Sequence, residues 1–83
     1  MATLEFKFQP RWKEELVCSS HLGSFILEMP MGVLSVSLPT QSSWERKAPA
    51  WAKDHWQTIY EQLEKWCKEN KVQFFVEETA VVY

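Results

Sequence analysis

Apolar and polar residues alternate with a period of two along much of this chain, and once the pattern changes to a helical period. Residues 2–8 set Leu4, Phe6 and Phe8 on one side and Thr3, Glu5 and Lys7 on the other, the mark of a half-buried strand. Gln9 and Pro10 end it, because proline has no N–H to give to a ladder. Two readings compete over residues 11–20. Trp12 and Leu16 stand four apart behind Pro10, as in a helical turn, while Trp12, Glu14, Leu16 and Cys18 share one face of a strand. A strand over residues 13–19 is preferred, since a turn at His21, Leu22 and Gly23 and another strand follow at once.

Residues 24–29 place Phe25, Leu27 and Met29 on one face. Pro30, Met31 and Gly32 form a tight turn. Residues 33–38 then turn Leu34, Val36 and Leu38 inward and Ser35 and Ser37 outward, and two strands joined this way predict a hairpin. Pro39 stops the second strand. In the connector over residues 39–48, Ser42 and Glu45 have capping-box spacing, which predicts a short helical turn ahead of a break at Pro49.

The helical period belongs to residues 49–70. At about 100° per residue, Ala52, Trp56, Ile59, Tyr60, Leu63, Trp66 and Cys67 form a stripe opposite Asp54, Glu61, Glu64, Lys65 and Lys68. Glu61 with Lys65, and Glu64 with Lys68, have the favourable i,i+4 order. Pro49 suits the first helical position and Asn70 the left-handed residue that ends a helix. A single α-helix here would span about 33 Å, enough to cross several strands. Residues 71–76 follow as a strand with Val72, Phe74 and Val76 inward. Glu77 and Glu78 break that alternation, and such charges solvate an edge and oppose edge-to-edge pairing. Residues 80–83 are apolar and suit a short edge strand.

The order is β-β-β-β-α-β, and the class is α+β. The expected architecture is a small antiparallel sheet, a four-strand meander plus a C-terminal strand, with one long amphipathic helix packed on one face. Residues 1–83 make a single domain.

Composition adds constraints. A chain of 83 residues has a thin core, which five Trp and five Phe enlarge. At this size burial and entropy nearly cancel, so a tight partner or a dimer would add stability. The net charge of −2 speaks against broad nucleic-acid binding. No positive segment leads into an apolar run, so no signal peptide is expected, and the apolar runs fall short of the ~18 residues of a membrane span. A cytoplasmic location is the default. Gly23 and Gly32 are turn glycines rather than a phosphate loop, and the two Cys and two His match no zinc module. No cofactor or metal is expected.

No motif here carries a specific chemistry, so the expectation is a small non-enzymatic protein-binding module. Its size suits an inhibitor, an antitoxin or immunity-type partner, or an accessory subunit. The partner is another protein or a second copy of the chain. Two surfaces are candidates. The connector and helix start bring Trp44, Arg46, Lys47 and Trp51 together with Lys53 and His55, and Trp and Arg are the residues most enriched at binding hot spots. The competing reading folds both tryptophans into the core. The outer sheet face carries Ile26 and Phe75, with Val17 and Val33. One alternative is an enzyme using Cys18 with His21, a thiol beside an imidazole. Another is weak single-stranded nucleic-acid binding through residues 44–53, by stacking and phosphate contacts.

Overall fold

The computed structural model describes residues 4–11, 14–30, 32 and 34–82. Expectations resting on residues 1–3, Trp12, Lys13, Met31, Val33 and Tyr83 lie outside them. Strands β1 (Lys7–Arg11), β2 (Glu15–Ser20) and β3 (Gly23–Glu28) form an antiparallel sheet in sequence order. The period-two pattern sets its faces. Leu16 pairs with Leu27 and Cys18 with Phe25, all four buried, while Val17 lies opposite Ile26 on the other face. His21 and Leu22 make the two-residue turn between β2 and β3, and the Leu22 N–H donates to Ser20 Oγ at 3.1 Å.

Pro10 does not end β1. It sits inside the strand, paired with Leu16, and is tolerated because β1 is a sheet edge. The segment before β1 is held from the other side. Gln62 donates from Nε2 to the Leu4 carbonyl at 2.7 Å, and its Oε1 accepts from the Phe6 N–H at 2.8 Å. One side-chain amide thus serves extended backbone as a neighbouring strand would.

The α+β class and the long helical run are as expected, but the strand pairing differs in one respect. Strand β4 (Ser35–Leu38) does not form a hairpin with β3. It pairs in parallel with β5 (Gln73–Val76), Val36 opposite Phe74 and Leu38 opposite Val76. Parallel neighbours need a long crossover, and the helices supply it. The β3 edge expected for β4 is bridged instead by Val82, antiparallel to Leu27.

A short helix α1 (Gln41–Lys47) does precede Pro49, but its cap is Thr40, which accepts from the Ser43 N–H, and Ser42 lies within the helix. Next comes a 3₁₀ stretch, Ala50–His55, and then α2 (Trp56–Glu69). At His55 the backbone leaves helical geometry (φ −112°, ψ 15°), so one wheel drawn through residues 49–70 fails at its start. Within α2 it holds: Ile59, Leu63 and Cys67 are fully buried, and Trp56, Tyr60 and Trp66 flank them. The expected ion pairs do not form. Glu61 accepts instead from Gln57 Nε2 at 3.2 Å. The left-handed residue that ends α2 is Lys71 (φ 57°) rather than Asn70 (φ −107°). The Val72 N–H then reaches back to the Cys67 carbonyl at 2.8 Å, the long bond of a Schellman motif.

Candidate interaction surface

The connector tryptophans belong to the core. Trp44 has no exposed surface. Its Nε1–H donates to the Ala52 carbonyl at 2.9 Å, and its ring meets Phe25 edge-on at 5.1 Å between centroids. Trp51 is half-buried, stacked on Phe6 at 6.2 Å, beside Phe25, and close against Gly23. The Trp44 indole is not free to stack on a base or fill a partner's pocket, and Trp51 commits part of its ring to a core small enough to gain from both.

The connector cations are engaged by the chain's own C-terminal segment. Lys47 Nζ donates to the carbonyls of Glu78 and Ala80, each at 3.1 Å. Arg46 faces Glu78 at 3.9 Å, with both side chains largely exposed. Ser43 Oγ adds a 2.9 Å bond to the Glu78 carbonyl. These residues fasten the segment after β5 to α1.

Buried thiols replace the reactive pair. Cys18 is fully buried, and burial, reinforced by Cys67, raises its pKa far above the ordinary thiol range. Burial also pushes Cys67 up to about 11. His21 sits exposed in the β2–β3 turn. A thiol held protonated inside a core lacks the thiolate that nucleophilic chemistry needs.

Ile26 and Phe75 lie on different sheets. Ile26 is half-buried beside Val17, one cross-strand pair between polar rows formed by Arg11, Glu15 and Glu28 on one side and Lys7, Ser19 and Ser24 on the other. Phe75 is 44% exposed on β5, on the face shared with Ser35, Ser37 and Gln73. Val76 next to it is 39% exposed on the opposite face, and Leu34 before β4 is 45% exposed. Apolar surface is therefore presented along the outer strand of the two-stranded sheet.

The backbone of β5 is open on that side. The Gln73 N–H bonds to the Leu34 carbonyl at 3.0 Å and the Glu77 N–H to the Leu38 carbonyl at 2.9 Å. Residues 73, 75 and 77 therefore point their amides toward β4, and the alternation turns the N–H and C=O of Phe74 and Val76 outward. The two edges of the three-stranded sheet are blunted. β1 carries Lys7, Pro10 and Arg11, and β3 is bridged by Val82. β5 has neither a proline nor a second paired strand among the described residues, and Glu77 and Glu78, expected to oppose edge pairing, lie beyond its end. Val76 is the site residue that the sequence reading missed. The signal was present in the run Phe74-Phe75-Val76, which is apolar on both faces where a half-solvated strand would alternate.

A separate hollow of about 490 Å³ lies between the segment entering β1 and α2, with Phe8 and Trp66 packed at 6.0 Å and Glu5, Lys65 and Glu69 around them. Its amide, Gln62, is already committed to the backbone of Leu4 and Phe6.

No family model, curated protein or solved structure matches this chain. No helix among the described residues is long and apolar enough to cross a membrane.

Proposed function

We propose that this chain is a small protein-binding module that works without chemistry of its own, and that the outer edge of β5 is its binding surface. The observation that carries this reading is the coincidence on one short strand of outward-turned backbone groups at Phe74 and Val76 with exposed apolar side chains at Phe75 and Val76. An extended segment laid along such an edge gains main-chain hydrogen bonds for affinity and side-chain contacts for specificity. Phe75 is the member of the sequence-derived set best placed for this role. Trp44, Trp51, Arg46 and Lys47 support the edge indirectly, by fixing the core and the segment that leaves β5.

The test is capture from a lysate by the wild-type chain and by Val76→Pro, which removes an outward N–H and leaves the bonds to β4 intact. The proposal expects a protein retained only by the wild type. In the purified complex the Phe74 and Val76 amides should become protected from hydrogen exchange. A captured protein that binds Val76→Pro equally well, or leaves those amides unprotected, refutes the edge as the binding surface.

A further inference from the structure

We infer that β5 recognises β5 of a second copy of this chain, in antiparallel register centred on Phe75. This rests on the reading of β5 as the binding edge and names its partner. The register follows from which groups point outward. Phe74 and Val76 turn their N–H and C=O away from β4, so in an antiparallel mate each Phe74 exchanges both bonds with the partner's Val76, about four bonds in all. Phe75 then faces the partner's Phe75 in the intervening non-hydrogen-bonded pair, where opposed side chains come closest and aromatic pairs contribute most.

Charge selects the same direction. β5 is preceded by Lys71 and followed by Glu77 and Glu78. An antiparallel mate brings the basic beginning of one strand beside the acidic end of the other and sets Gln73 opposite the partner's Glu77, an amide donor against a carboxylate. A parallel mate would set Glu77 against the partner's Glu77 and Lys71 against the partner's Lys71, and like charges directly opposite are destabilising. The pairing is isologous, so it closes at two copies and yields one four-stranded sheet, β4-β5-β5-β4. The contact is a single strip, at the small end of specific interfaces, so association is concentration-dependent.

Sedimentation equilibrium from micromolar to millimolar protein, paired with amide exchange by NMR, tests this. The expected result is a monomer–dimer equilibrium in which protection of the Phe74 and Val76 amides rises with concentration, while that of Phe75, already bonded within the chain, stays constant. Phe75→Lys and Val76→Pro should each weaken the dimer by on the order of tenfold or more, with thermal midpoints in dilute solution unchanged. Lys71→Glu and Glu77→Lys should each weaken it, and the double variant should restore it. A monomer at every concentration, or a dimer that none of these substitutions weakens, overturns self-pairing. The capture experiment, run with dilute bait, judges the edge as a binding surface independently.

Discussion

Gly23 and Trp51 are packed so closely that a Cβ on residue 23 would lie 2.9 Å from both Cε2 and Nε1 of the indole. The φ of Gly23, +153°, also disfavours any L side chain. The start of β3 is therefore seated directly on the 3₁₀ stretch. Gly23→Ala is expected to cost about 2 kcal/mol or more in chemical denaturation. Adding Trp51→Leu should recover the steric part of that loss. A Gly23→Ala protein as stable as wild type would show that the contact does not exist.

Trp44 and Arg46, two residues apart in α1, should respond in opposite ways. Trp44→Phe leaves the Ala52 carbonyl without its 2.9 Å partner and should cost about 1–3 kcal/mol. Arg46→Ala removes an exposed pair 3.9 Å apart and should change stability by less than about 0.5 kcal/mol. Urea midpoints of the two variants decide the matter. Equal effects would contradict the burial of Trp44.

Gln62→Leu removes both bonds to the segment before β1 and keeps the volume. The expected loss is about 1–3 kcal/mol, with the Phe6 amide exchanging much faster while the Leu63 amide stays protected. Unchanged exchange at Phe6 would mean that β1 holds this segment unaided.

The thiols give a pH dependence with a definite sign. Burial raises the Cys67 pKa from 9.0 to about 11 and moves Cys18 the same way, so the folded state keeps protons that the unfolded state releases. Their contribution is fully present below the unfolded thiol pKa and is lost as pH rises, for Cys67 between about pH 9 and 11. Comparing urea midpoints of wild type and Cys67→Ala across this range isolates the effect from Lys and Tyr titration. The variant should lose less stability than wild type. Both thiols should also resist alkylation until the chain unfolds.

The faces of the strands were legible where burial obeys alternation: Leu16, Cys18, Phe25, Leu27, Val36 and Leu38 are all buried where period two places them, whereas Leu34 and Val76, expected inward by the same rule, are exposed. The neighbour of each strand was less so. Val36 and Leu38 reveal which side of β4 is inward, but an alternating pattern is silent about which strand lies alongside. The turn residues before β4 suggested β3, while the bonds run to β5, where Phe74 lies 38 positions beyond its partner Val36, a separation to which a purely local pattern is blind.

The candidate site was legible only in part, for a related reason. Trp44 and Arg46 have the composition of a hot spot, and composition does not distinguish a residue facing a partner from one facing its own chain. Phe75 was identified from its parity on β5, which is a geometric argument, and its exposure follows. The openness of the β5 edge depends on knowing that β4 is its neighbour on one side and that the segment after Glu78 runs toward α1, both facts of tertiary structure.

The bridge between Val82 and Leu27 has a consequence for how the chain is made. During synthesis β1, β2 and β3 leave the ribosome long before residue 82, and the hairpin pairings among them are local enough to form at once. The β3 edge then stays uncovered while residues 29–81 are added, a nascent sheet with an open side. Only when residues 78–82 emerge, and Ser43 and Lys47 take hold of Glu78 and Ala80, is that edge bridged at Leu27.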